Sequence, residues 1–341
     1  MFVVGEDIGY SNLKVAYGRC ETGKCAVTTT PATAVPEADM GPSFFGRRHD
    51  GTRVLVDGAP WVVGRDVGSA IGGPRELHQD YTRSPSWRAL LYAGLVHAGA
   101  DYVDRLVLGL PVSQFSDTGI KTHLKNTLPG VHQITETRRI QVSKVVVIPQ
   151  PFGAYSDAVV HDEINRASHV PLLESRVLAI DPGWFSVDWV LFDNASYRPD
   201  ASGSAMEAVS FLAEEIAKKL KRAMNYAQDL YAIERMLRAG KTTMGIRGTE
   251  TDMTPFIEPA IDAVTSRVAS TIRNATRRLG QDVDMVSMDS VGRAVFGHQV
   301  KAMRQTLVRG IGLARVRMRI ALANLAYNMS RLVQLRPPCA A

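Results

Sequence analysis

The sequence is poor in cysteine: Cys20, Cys25 and Cys339 are the only three in 341 residues. They form no even disulfide framework, and Cys20 and Cys25 lack histidine or cysteine companions at zinc-site spacing, so they read as reduced thiols in a cytosol. Long apolar runs are lacking too. Phe2–Val4 is interrupted at once by Gly5, Glu6 and Asp7, which leaves neither the apolar stretch of a signal peptide nor a bilayer span. A cytoplasmic protein with no membrane partner is expected. The eight histidines share no ligand spacing, which speaks against a zinc site or a histidine-based triad. No G-x-x-x-x-G-K-[ST] loop or G-x-G-x-x-G fingerprint occurs, and Gly240-Lys241-Thr242 lacks the upstream glycine of the former.

The most local absence is of acid. From Arg293 to Ala341 there are nine Lys or Arg and no Asp or Glu, so a chain of net charge +6 carries +9 in this tail and −3 before it. The remaining composition, 45% hydrophobic and 22% charged, is that of a folded chain, and the length favours two domains. Their expected bounds are 1–160 and 161–292, followed by a basic segment at 293–341.

Phe2–Ile8 and Leu13–Tyr17 are β-prone runs flanking Gly9-Tyr10-Ser11-Asn12, which predicts a hairpin. Arg53–Val56 and Trp61–Val63 predict a second, across Asp57-Gly58. Between them, Thr29–Gly46 reads as irregular. Ser86–His97 and Ser113–Leu128 read as helices, and Arg105–Leu110 and Val142–Ile148 as buried strands. This alternation fits an α/β fold with a parallel or mixed sheet. Arg176–Ile180 and Val187–Phe192 then flank Asp181-Pro182-Gly183-Trp184-Phe185-Ser186, repeating the layout of residues 2–18. Amphipathic helical segments follow at Ala205–Tyr226, Gln228–Ala239 and Met253–Leu279, and a short strand at Val283–Ser287.

Asp7-Ile8-Gly9-Tyr10-Ser11-Asn12-Leu13-Lys14 places a carboxylate at a strand end, then a glycine-bearing turn, a hydroxyl, an amide and a lysine. Phosphate oxygens need clustered N–H donors and a cation, and Mg²⁺ needs carboxylate oxygens, so this turn suits both; a plain hairpin turn is the alternative. The 181–186 segment, with Asp188 just beyond, offers the same groups again. Gln150, where a strand runs into a helix, suits either the orientation of an attacking water or a polar helix cap. Glu214, Glu215, Lys218 and Lys219 form i, i+4 pairs that read as a solvated face or as groups within reach of a ribose.

Taken in this order, the two aspartate-glycine hairpins and the Pro149-Gln150-Pro151-Phe152-Gly153-Ala154-Tyr155 junction resemble the motifs of the actin-like ATPases. Within them the chain is most similar to the bacterial plasmid-segregation proteins of the ParM/StbA type, including the PRTRC-system protein D group. Leu212–Lys219 and Ile233–Lys241 also look like segments of that family, and the resemblance runs from about residue 1 to about residue 290.

The resemblance implies an actin-like ATPase fold, in which two similar, ribonuclease-H-like α/β domains flank a nucleotide cleft. It implies ATP and Mg²⁺ as cofactors, with Asp7 and Asp181 positioning the metal and Gln150 the water. Gly9, Tyr10, Ser11, Asn12, Lys14, Gly183, Trp184, Phe185 and Ser186 would hold phosphates, and Glu215, Lys218 and Lys219 would lie near the nucleoside. ATP hydrolysis, head-to-tail filaments and plasmid partition through a DNA-binding adaptor follow as expectations. The chain departs from the family at its adenosine motif: where a glycine pair is expected it reads Ser287-Met288-Asp289-Ser290-Val291-Gly292-Arg293-Ala294, with Gly292 the nearest counterpart. The basic tail looks more like the end of some insertion-sequence transposases and suggests direct DNA contact. Alternatives are a sugar-kinase-like phosphotransferase of the same fold, or a non-catalytic DNA-associated protein acting through its tail.

Overall fold

The computed structural model describes residues 1–10, 12–22, 24–40, 51–64, 80–160, 172–183, 186–206, 209–238, 241–277, 285–288 and 306–308. Contacts among them separate two units, Met1–Pro171 and Leu172–Arg309.

The first unit is built on strands β1 (Phe2–Ile8), β2 (Asn12–Arg19), β3 (Lys24–Pro31), β7 (Tyr102–Leu110), β8 (Gly130–Gln133) and β9 (Arg139–Pro149), in sheet order β3-β2-β1-β7-β9-β8. β1, β2 and β3 run antiparallel in succession, whereas β1, β7 and β9 are parallel. Strands β4 (Ala34–Pro36), β5 (Thr52–Val56) and β6 (Ala59–Val63) make a small antiparallel sheet, with Asp57 and Gly58 both at positive φ in the two-residue turn. Helix α1 (Pro85–Ala98) begins where the Ser84 side chain accepts a hydrogen bond from Trp87 N, with Pro85 as the first helical residue. It is apolar nearly all round because it is buried: Leu90, Leu91 and Leu95 pack in one core with Val4, Leu106, Leu108 and Ile140.

Two expectations are corrected here. Thr29–Gly46 is not irregular at its start, since Thr29–Pro31 completes β3 and β4 follows. Nor is Ser113–Leu128 one helix: Asp117 ends α2 (Val112–Ser116) and caps α3 (Thr118–Thr127), its Oδ1 accepting from Gly119 N at 2.7 Å and Ile120 N at 3.2 Å. Helix α4 (Phe152–Val160) closes the described part of the unit.

The second unit repeats the strand logic. Strands β10 (Arg176–Pro182), β11 (Val187–Asp193), β12 (Ser196–Ala205), β15 (Met285–Met288) and β16 (Thr306–Val308) lie in the order β12-β11-β10-β15-β16. Three antiparallel strands are again followed by parallel ones. β16 comes from the stretch that the sequence marks as the basic segment. Helices α5 (Val209–Met224), α6 (Leu230–Arg238) and α7 (Thr254–Arg277) supply the apolar cover through Leu212, Ile216, Ile233, Met236, Val264 and Val268, and β13 (Thr243–Ile246) pairs with β14 (Thr249–Asp252) in a separate hairpin. Residues 196–205, a strand the sequence reading did not contain, sit at the sheet edge, where Pro199 is tolerated.

Candidate phosphate-binding turns

β1 ends at the first candidate site. Asp7 stands opposite Lys14 of β2 and beside Gly109 of β7, and Gly9 N donates to Asn12 O at 3.1 Å, closing the turn. Lys14 Nζ donates to Asp7 Oδ2 at 2.9 Å, and Gln150 Nε2 donates to Asp7 Oδ1 at 2.7 Å. The lysine and aspartate side chains are 25% and 13% exposed, so the pair is shielded yet still open to solvent. The Gln150 side chain is tethered to the carboxylate of Asp7, 143 residues away in the chain. Gly109 makes this possible, since a Cβ there would come within 3.3 Å of Gln150 Cγ. Tyr10 stacks on Tyr81, with ring centroids 4.8 Å apart. Ser11 lies outside the described residues.

The second unit presents the same hairpin. Gly183 N donates to Ser186 O at 2.8 Å, as Gly9 does to Asn12, and Asp181 stands opposite Asp188 as Asp7 does opposite Lys14. Ser186 is buried, and its Oγ donates to Asp188 Oδ2 at 2.6 Å; Ser204 Oγ of β12 donates to Asp188 Oδ1 at 2.5 Å. Asp188 is only 2% exposed. The sequence reading noted Asp188 without giving it a role; its alternation with Asp181 across a two-strand hairpin was the available signal. Trp184 and Phe185 lie outside the described residues.

Glu215 and Lys218 pair at 3.0 Å, at i, i+3 spacing rather than the expected i, i+4. Lys218 Nζ also stands 5.4 Å from the centroid of the Phe211 ring, which Arg267 of α7 approaches at 5.1 Å. Lys219 is half-buried on the same helix. Gly292 and the expected adenosine turn beyond Met288 lie outside the described residues.

Glu6 is the residue next to Asp7 and points to the opposite sheet face. It is 1% exposed, and neither carboxyl oxygen has a hydrogen-bond partner among the described residues. Burial pushes its pKa well above the usual carboxylate range, which favours the protonated, neutral carboxyl in the folded protein. It packs on α1 at Gly94, where a Cβ would stand 2.5 Å from Glu6 Oε1.

Among the described residues, no group of three or more His, Cys, Asp or Glu side chains is placed to hold a metal ion. Mg²⁺ bound with a nucleotide asks for less: it retains waters and takes one or two carboxylates beside the phosphates. Asp7 and Asp181 each offer such a carboxylate at a strand end beside a tight turn, each in its own unit, and Lys14 sets a cation beside Asp7.

Residues 5–153 match the family described as the N-terminal domain of actin-like proteins. Among solved structures, the chain is similar to an archaeal actin homologue, with TM-score 0.74 at 18% identity, covering 97% of this chain and 100% of that one; the same homologue has been solved in complex with ADP. It is also similar to ParM in a 15-stranded filament from Clostridium botulinum, with TM-score 0.66 at 15% identity and 96% and 99% coverage. A non-polymerisable quadruple mutant of pCBH ParM gives TM-score 0.70 at 13% identity, with 97% and 99% coverage. No curated protein matches the sequence significantly. No helix among the described residues is long and apolar enough to cross a membrane.

Proposed function

Starting from an actin-like fold whose residues 5–153 match the N-terminal domain of actin-like proteins, we propose that this chain is an ATPase that binds ATP with Mg²⁺ and polymerises head to tail. The observation that carries this reading is the cluster on Asp7. A lysine and a glutamine amide converge on one strand-end carboxylate beside a closed turn, and the turn recurs in the second unit. That an archaeal relative was solved with ADP, and a ParM relative as a filament, supports it.

In this reading Lys14, hydrogen-bonded to Asp7, neutralises charge on the terminal phosphates. Gln150 donates through Nε2 to Asp7, which leaves its amide oxygen to accept from a water and fix that water's direction. Asp7 and Asp181 would hold Mg²⁺ through its waters, and the metal when bound offsets phosphate charge. The Gly9–Asn12 and Gly183–Ser186 turns would cradle the phosphates, with Glu215, Lys218 and Lys219 near the nucleoside and Gly292 at the base. A heterologous interface that does not close on itself gives filaments by geometry. Partition of plasmid copies in the bacterial cytoplasm, through a DNA-binding adaptor, is the use that the resemblance to ParM suggests.

The test is calorimetry of Mg²⁺-ATP binding to the full chain and to Asp7→Ala and Asp181→Ala, followed by light scattering with and without ATP. Saturable binding that either substitution weakens at least about tenfold, with ATP-dependent scattering, is expected. A folded, unmodified protein that binds no nucleotide overturns the reading.

A further inference from the structure

Tyr10 lies in the first turn, and its ring is partly buried against the core. It stacks on Tyr81 with an interplanar angle of 24°. Tyr81 is 6% exposed and opens a single 3-10 turn, Tyr81–Arg83, that runs straight into α1. Its carbonyl accepts from both the main-chain N–H of Ser84, at 3.0 Å, and the Ser84 hydroxyl, at 2.8 Å. Ser84 Oγ in turn accepts from Trp87 N at 3.2 Å and caps the helix. Two turns further on, α1 touches β1 where Gly94 meets the Glu6 carboxyl, one residue before Asp7. Turn, Tyr81, helix cap, helix and β1 thus form a closed ring of contacts that returns to the turn from its other side.

We infer that Tyr81 is a positioning residue for the first phosphate turn: by stacking on Tyr10 it fixes the turn to the capped end of α1. The inference rests on the reading of that turn as a phosphate site. A hairpin turn of glycine and small polar residues is conformationally loose, and every alternative conformation it samples lowers its apparent affinity for an anion. An aromatic stack to a buried ring removes those alternatives before the ligand arrives, so the main chain of the turn meets the phosphate already arranged. Tyr10 then acts through its main chain, with its side chain as the anchor. In the second hairpin, Ser186 is held by Asp188.

The experiment compares the full chain with Tyr81→Phe, which keeps the stack, and Tyr81→Leu, which keeps apolar volume but removes it. Two measurements are made: amide hydrogen exchange across residues 8–13 without nucleotide, and Mg²⁺-ATP affinity. Tyr81→Leu is expected to speed exchange in this segment and to weaken affinity by about three- to tenfold, the worth of an aromatic pair. The β13–β14 hairpin should exchange as before, and Tyr81→Phe should restore both values to within about twofold of the parent. Unchanged exchange at 8–13 in a folded Tyr81→Leu protein overturns the inference, as does unchanged affinity. If the parent binds no nucleotide, the phosphate reading fails, and with it the functional half of the inference; the exchange comparison still decides whether Tyr81 anchors the turn.

Discussion

Lys14 and Asp188 occupy the same place in the two hairpins, each directly across from the aspartate that ends the preceding strand. One is a cation joined to that aspartate; the other is a buried carboxyl holding two serine hydroxyls. The duplicated scaffold therefore carries opposite chemistry at matched positions, and the two should respond differently to substitution.

Replacing Lys14 with Met removes a charge-assisted hydrogen bond from a part-exposed carboxylate that water can still reach. Little stability should be lost, about 1 kcal/mol or less in chemical denaturation. Under the proposed function, nucleotide affinity measured by calorimetry should fall at least about tenfold, because the cation assigned to the phosphates is gone.

Asp188→Ala should do the reverse in proportion. It leaves the buried hydroxyl of Ser186 without its carboxylate partner and removes the hydrogen bond from the part-buried Ser204, at a cost of about 1–3 kcal/mol in denaturation midpoint converted to free energy. Ser204→Ala should cost less, about 1 kcal/mol, since Asp188 keeps its hydrogen bond from Ser186.

Glu6 gives a pH dependence of known sign. Its folded-state pKa lies well above the value of 4.5 that applies to the unfolded chain. Between those two values the native protein holds a proton that the unfolded chain has released, so native stability declines as pH rises above about 4.5. Glu6→Gln should remove this part of the slope. Glu6→Met should in addition raise stability at pH 7 by about 1–3 kcal/mol, because no unpartnered polar group is then buried. Denaturation at pH 5, 6, 7 and 8 measures both.

Gly94→Ala tests the same contact from the helix side. An exposed helical glycine replaced by alanine gains about 1 kcal/mol, but here the added Cβ meets the Glu6 carboxyl and a loss of about 1–3 kcal/mol is expected. In a Glu6→Ala background the clash disappears, so the double-mutant cycle should return a compensating coupling of at least about 1 kcal/mol.

Much of this was legible because it is local. The two site hairpins follow from β-prone runs on either side of glycine-bearing turns, and Asp57-Gly58 fixes its own geometry. What escaped depends on distant partners. Nothing near Arg198-Pro199-Asp200 announces a strand; β12 exists because β11 offers an edge, helped by Ser202, whose Oγ accepts from Leu191 N at 3.0 Å where the pairing shifts register. Ser113–Leu128 has helical content throughout, and only the local hydrogen bonds of Asp117 divide it. In the site, Asp7, Lys14 and Gln150 were named from their motifs, but the bond from Gln150 to Asp7 requires β9 to end beside Gly109. Tyr81 and Glu6 carry no motif at all: one matters through a ring 71 positions earlier in the chain and the other through a glycine 88 positions later.

β1 sets two carboxyls side by side in sequence and on opposite faces in space. Side chains alternate along a strand, so a slip of one residue in its pairing would exchange them, sending Asp7 against α1 and bringing Glu6 beside the turn. Both outcomes contain an acid at the mouth of the hairpin, yet only one leaves the shorter side chain within reach of Lys14 and Gln150. Seven cross-strand pairs with β2 and five with β7 hold the alignment. Deletion of Ile8, between Asp7 and the turn, would therefore act as a swap of acid identity, drawing Glu6 to the place opposite Lys14 even though no residue of the turn itself had changed.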